Sequence, residues 1–111
     1  MPLNTAAKDG ILTVHVAEDR LVDPDHMTRL FNDLAAILDK SDEDRVILDF
    51  SSLKFMASAA LGKLVQLNKK CAEYKVKLKL CGVSKEILEV FKITKLHKVF
   101  DIAADETTAR K

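Results

Sequence analysis

The feature that most constrains the fold is a short apolar run, Val46-Ile47-Leu48, between two long amphipathic stretches. A strand of consecutive apolar residues is typical of a central strand that is covered on both faces. The helical repeat before it starts at Asp23-Pro24, a good N-cap and first-turn pair, and the repeat after it runs through 59–74. This order predicts strand–helix–strand units and a largely parallel sheet with Arg45–Phe50 in its middle.

The remaining elements complete an α/β domain. Asp9-Gly10 predicts a tight hairpin turn, since glycine adopts positive φ without steric cost, and Ser84 predicts the N-cap of a third helix. The predicted strands besides the central one are Leu3–Ala7, Ile11–Ala17, Val76–Cys81 and Val99–Ile102. We therefore expect one domain over residues 1–103, with a four- to five-stranded mixed sheet and helices mainly on one face. Residues 104–111 are expected to form a polar, mobile C-terminal tail.

Charge and composition exclude several classes of protein. The chain has 18 basic and 17 acidic residues, which are interspersed, so we expect no nucleic-acid partner. No stretch is long and apolar enough to enter a membrane, and the first residues lack a signal sequence, which predicts a cytoplasmic protein. Cys71 and Cys81 are expected to be small buried thiols. We expect no metal site and no cofactor.

Ser58 has the position most suited to a functional residue, because it follows a buried strand and a short loop and stands at the start of a helix. Spacing alone predicts only a helix cap there, although a phosphate at a helix start is also stabilised by the free amides and the helix dipole. Asp49, at the end of the central strand, is expected to bond nearby loop amides. No base–nucleophile pair or glycine-rich phosphate loop is visible, so we expect no enzyme.

Two stretches carry a resemblance to a known family. Residues 46–62 read VILDFSSLKFMASAALG, and residues 78–84 read LKLCGVS and are followed by apolar positions through Phe100. They resemble the signature strand and helix start, and the closing strand and helix, of STAS domains, in particular of anti-sigma factor antagonists (anti-anti-sigma factors). The resemblance covers nearly the whole chain and implies a STAS-like fold.

The resemblance implies a role in transcription regulation. In that family a serine at the helix start is phosphorylated by a serine kinase that is also an anti-sigma factor, and the unphosphorylated form binds this partner and frees the sigma factor. Ser58 is the matching position, so the chain would be a phosphoprotein and ATP would belong to the partner. The surface implied for partner binding comprises Asp23, Met56, Ala57, Ser58, Ala59, Leu61 and Gly62.

Three positions depart from the family pattern: Ala57 stands where the family usually has aspartate, Ala59 where it has a second serine or threonine, and Ala60 where it has glycine. The missing aspartate keeps a second hypothesis open, a non-phosphorylated STAS scaffold subunit of a transporter or signalling assembly in which Ser58 is only a cap. An enzyme is the third and most distant hypothesis.

Overall fold

Seven strands, four α-helices and one 3-10 helix lie in residues 3–110, the part of the chain that this computed structural model describes. In chain order the elements are β1 Leu3–Lys8, β2 Ile11–Val16, β3 Arg20–Leu21, α1 Pro24–Lys40, β4 Arg45–Asp49, β5 Phe55–Met56, α2 Ser58–Glu73, β6 Lys77–Cys81, α3 Lys85–Ile93, a 3-10 helix Leu96–Lys98, β7 Asp101–Ala103 and α4 Glu106–Ala109.

The main sheet has the strand order β1-β2-β4-β6-β7. β1 is antiparallel to β2, and the other neighbours are parallel. The hairpin turn has positive φ at both Asp9 and Gly10, as its sequence requires. The prediction of a mixed sheet with the apolar strand at its centre is confirmed, and Val46, Ile47 and Leu48 are all buried.

Three helices cover one face of this sheet. α1 and α2 each contribute an apolar stripe to a core shared with β2, β4 and β6, and α3 adds Ile87 and Phe91. Asp23 caps α1 by accepting from the Asp25 amide, and Ser84 caps α3 by accepting from the Ile87 amide, as predicted. None of the helices in residues 3–110 combines the length and the apolar character needed to cross a bilayer.

The opposite face is covered at one end by the last helix. Ala109 of α4 packs with Ile11, Ile47 and Cys81 in a second, smaller core, and the Arg45 guanidinium donates to the Arg110 carbonyl over 3.0 Å. The segment after Ala103, which its polar sequence presents as a mobile tail, therefore contains a short packed helix. Ala109 is the one apolar residue in residues 105–111, which is too weak a signal to predict this packing.

Both cysteines are buried free thiols, as predicted. Burial, together with the charge of Asp49, raises the pKa of Cys81 to about 12, so its thiol stays protonated at neutral pH.

Two further differences from the sequence expectation concern short strands. β3 and β5 form a separate two-stranded parallel ribbon that the sequence does not predict, because two residues carry no periodic pattern. The last strand begins at Asp101 rather than at Val99. Phe100 instead leaves the sheet and stacks on Phe91 with a ring-centroid separation of 5.8 Å, while Val99 is exposed.

Candidate functional site

Ser58 is the first residue of α2 and its side chain is exposed. The N-cap position belongs to Ala57, whose backbone is extended (φ −72°, ψ 158°) and whose side chain makes no capping hydrogen bond. The expectation that Ser58 caps the helix is therefore wrong. Its hydroxyl instead projects from the positive end of a 16-residue helix, and no acidic residue stands in the first turn.

The β3–β5 ribbon holds the start of α2 by main-chain hydrogen bonds. The Ala57 amide donates to the Leu21 carbonyl over 2.8 Å, and the amides of Lys54 and Phe55 both donate to the Asp19 carbonyl. The Arg20 guanidinium lies 5.6 Å from the centre of the Phe55 ring, a cation–π contact. These contacts tie the segment before α1 to the segment before α2.

Parallel pairing brings two helix starts out at the same end of the ribbon. Leu21 pairs with Met56, and Asp23 and Ser58 each follow two residues later. His26 Nε2 in α1 lies 2.8 Å from Glu18 Oε1, and this contact holds the start of α1 against the segment before β3. The family resemblance implies that Asp23 takes part in partner binding, and the structure places this residue on the same side of the molecule as Ser58.

The residues implied for partner binding divide into a surface group and a core group. Asp23, Ser58, Ala59 and Gly62 are exposed, and Ala57 is half-buried. Met56 and Leu61 are buried in the main core, so they can support the surface but present little of their own side chains to it. Two apolar side chains that the sequence does not single out, Val22 and Phe55, are about half exposed beside the helix start.

Polar side chains form a hydrogen-bonded network at the start of the loop that leads to this surface. Asp49 Oδ1 accepts from the Ser51 amide over 2.9 Å, as predicted for a loop-holding carboxylate. Asp49 Oδ2 lies 3.2 Å from His15 Nδ1, and His15 Nε2 lies 3.0 Å from Ser52 Oγ. An ionised carboxylate can only accept, so Nδ1 carries the proton and, in the neutral ring, Nε2 accepts from the Ser52 hydroxyl.

The expectation that no base lies beside a nucleophile is wrong for this loop. Ser52, His15 and Asp49 are joined in the order of a hydrolase triad. The contact follows from the register of β2 against β4, where His15 pairs with Asp49, and no local sequence pattern reports that register. The Ser51 amide is already bonded to Asp49, so it is not free to stabilise an oxyanion. The three side chains hold the loop that leads from β4 to the ribbon.

The ionised state of Asp49 stabilises this loop. Partial burial alone would raise the pKa of Asp49, but hydrogen bonds from Ser51 and from the His15 ring outweigh it, so the pKa lies below its ordinary value. Because the folded-state pKa is the lower one, this stabilisation is complete above the unfolded value of about 3.9 and is lost as the pH falls through the folded value.

We therefore expect Asp49→Asn to lower the free energy of unfolding by about 1–2 kcal/mol at pH 7 and by less at pH 3. Urea unfolding at the two pH values measures this difference. Asp33→Asn, on the exposed side of α1, is the control variant and should change stability by less than about 0.5 kcal/mol. An equal loss at pH 7 and pH 3 would contradict the role of the charge.

Known proteins resemble this chain over nearly its whole length. Residues 3–109 match the STAS domain family. BtrV of Bordetella bronchiseptica, described as a candidate anti-sigma factor antagonist, is 30% identical over 109 residues, which cover 98% of this chain and 91% of BtrV. An anti-sigma factor antagonist from Mycobacterium paratuberculosis has a crystal structure with a TM-score of 0.82 and 18% identity, covering 97% of this chain and 89% of that one.

The fold is also that of SpoIIAA, an anti-sigma factor antagonist with solved unphosphorylated and phosphorylated forms. The unphosphorylated form gives a TM-score of 0.73 at 14% identity, with 95% of this chain and 90% of that chain covered. The phosphorylated form, from Bacillus, gives 0.68 at 15% identity, with 95% and 94% covered. The sheet order, the helix arrangement and the family match together show that this chain belongs to the STAS domain family, as its signature stretch implied.

Proposed function

We propose that this protein is a cytoplasmic anti-sigma factor antagonist, a protein-binding regulator of transcription that is switched by phosphorylation of Ser58. The observation that carries the proposal is the position of Ser58, exposed at the first turn of α2 in a frame fixed by main-chain hydrogen bonds. The 30% sequence identity to BtrV supports it, and so does the shared fold of SpoIIAA, which has been solved in two phosphorylation states.

A phosphate on Ser58 would be tolerated by the folded protein. The first amides of α2 and the helix dipole favour an anion at this point. The first turn contains no acidic side chain that would repel it. Phosphorylation would add a charge of about −1.5 to −2, so it would change what the surface can bind while the core of the domain stays as it is.

The unphosphorylated surface would suit a protein partner. Around Ser58 it presents the small exposed residues Ala59 and Gly62, which allow close approach of another backbone, and the half-exposed apolar side chains of Val22 and Phe55. The proposed partner is an anti-sigma factor that is also a serine kinase. The nucleotide and the transfer chemistry would belong to that partner, and this chain would have no enzymatic activity of its own.

The direct test is to incubate the protein with ATP and a kinase-like anti-sigma factor and to map the product by intact-mass and fragment analysis. We expect one phosphate, on Ser58. Ser52 is half-buried with its hydroxyl bonded to His15, and a phosphate on Ser51 would be repelled by the adjacent Asp49. Label on Ser51 or Ser52, or label that persists in Ser58→Ala, would count against the proposal.

The N-cap residue Ala57 has no side chain that can accept a hydrogen bond, which leads to a second test. Ala57→Asp should raise the free energy of unfolding by about 0.5–2 kcal/mol, because a side-chain oxygen at this position can accept from the amides of the first turn. It should also raise the phosphorylation rate, if the missing family acid limits it. Ala57→Asn is the matched control, since it caps without adding a charge. A rate that is unchanged in both variants would show that the acid is dispensable.

The second candidate function is a scaffold of the same fold in a transporter or signalling assembly, without phosphorylation. The observation that favours it is Ala57, which leaves Ser58 without the neighbouring carboxylate that the family usually has. In that case neither a kinase nor a charge at residue 58 would change partner binding.

A further inference from the structure

A groove of about 550 Å³ opens at the end of α2 that is remote from Ser58. It lies between the C-terminal ends of α1 and α2 and the loop that follows α1. Because α2 has 16 residues, its two ends are about 24 Å apart. The groove is therefore separate from the surface on which the proposed function depends.

The groove has an apolar interior and an aromatic edge. Leu38 and Val76 line it as half-buried side chains, and Cys71 is almost fully buried beneath them. Tyr74 also lines the groove and is 69% exposed. The volume of the groove is in the range of small-molecule sites, which measure roughly 300–1,000 Å³.

The rim of the groove is negatively charged. Asp39 pairs with Lys70 over 3.2 Å, and the Ser41 hydroxyl donates to Glu43 and lowers the pKa of that carboxyl. The remaining carboxylates of the rim, Asp42 and Asp44, are exposed. The residues that line the groove thus include four carboxylates and one ammonium group.

Two helix ends add to this negative potential. α1 ends at Lys40 and α2 at Glu73, so both direct the negative end of their dipole to the groove, and Lys40 and Lys70 in the last turns offset part of it. Within residues 3–110, no three histidine, cysteine, aspartate or glutamate side chains converge as metal ligands. The spread of the carboxylates around an apolar interior suits a ligand larger than a metal ion.

We propose that this groove binds a small organic cation, namely a protonated amine on an aromatic or aliphatic body. The body would lie against Leu38, Val76 and the Tyr74 ring, and the ammonium group would face Asp42 and Asp44. A cation near the Tyr74 ring is attracted by its π-face as well as by the carboxylates.

Three probes of the same shape test the charge requirement on the full chain. Phenethylamine carries the ammonium group, 2-phenylethanol is its neutral counterpart, and 3-phenylpropionate is its anionic counterpart. Amide chemical shifts in ¹H–¹⁵N spectra are followed during titration with each. We expect saturable shifts around the groove for the amine alone, and weaker binding at higher salt.

Matched double variants locate the binding site. Asp42→Asn with Asp44→Asn should weaken phenethylamine binding roughly three- to tenfold, whereas Glu86→Gln with Glu89→Gln, which removes two exposed carboxylates from α3, should leave it unchanged. Equal affinity for the three probes, shifts centred elsewhere, or no saturable shift would overturn the proposal. The probe comparison on the wild-type chain decides the matter even if a variant fails to fold, and neither result bears on Ser58.

Discussion

Gly82→Ala should lower the free energy of unfolding by roughly 2–5 kcal/mol, a large part of the stability of a small domain. Gly82 has φ +68°, a left-handed conformation that an L side chain resists. A Cβ atom there would lie 2.8 Å from Asp49 Oδ1 and 2.9 Å from the Ser51 amide nitrogen. Neither can move easily, because these two groups are hydrogen-bonded to each other in the loop after β4.

Gly10→Ala separates the cost of the left-handed backbone conformation from the cost of steric crowding. Gly10 also has positive φ, +77°, but a Cβ atom there would meet nothing within 4 Å, so this variant should lose only the conformational part, about 1–2 kcal/mol. Urea unfolding of both variants and the wild type gives the comparison. If Gly82→Ala loses no more than Gly10→Ala, the close approach of β6 to the Asp49 loop does not limit the residue at position 82.

Ser58→Glu should weaken binding to the proposed anti-sigma partner by about 3 kcal/mol, or more than a hundredfold in Kd, without unfolding the protein. A carboxylate at the exposed start of α2 stays in water and interacts favourably with the helix dipole, so the free protein should change in stability by no more than about 1 kcal/mol. In the complex the same charge would lose its water without gaining a partner. Calorimetric titration and thermal melts measure the two effects.

Two substitutions at the same position serve as controls. Ser58→Gln has nearly the size of glutamate without its charge, so it should bind more tightly than Ser58→Glu if charge is what disrupts the interface. Ser58→Ala should keep binding and change stability by less than about 0.5 kcal/mol, because the N-cap is Ala57. Wild-type affinity in Ser58→Glu would place residue 58 outside the interface and favour the scaffold alternative.

Elements with a strong periodic pattern could be predicted from the sequence. The apolar run of β4 predicted that this strand is central in the sheet, because burial on both faces requires apolar residues at every position. The Asp23-Pro24 pair and Ser84 gave two helix starts because their capping chemistry is local. By contrast, β3 and β5 have two residues each, and their pairing depends on contacts between segments 35 positions apart in the chain.

The candidate site could be predicted only in part, for the same reason. Ser58 was found through the signature stretch, but its exact place in the helix was not, since a difference of one residue decides whether it or Ala57 occupies the N-cap. The contact between His15 and Asp49 joins strands that are neighbours in the sheet but not in the sequence. No local pattern reports that adjacency, so His15 could be read only as a strand-face residue.

The ribbon beside Ser58 has a consequence for how such domains diverge. Its hydrogen bonds join main-chain atoms of Asp19, Leu21, Lys54, Phe55 and Ala57, so they persist when exposed side chains on the same backbone are replaced. Exposed side chains around Ser58 can therefore be replaced while the start of α2 keeps its position. Under the proposed function, domains that share this ribbon could bind different partners through changes in these surface side chains alone, without loss of the fold.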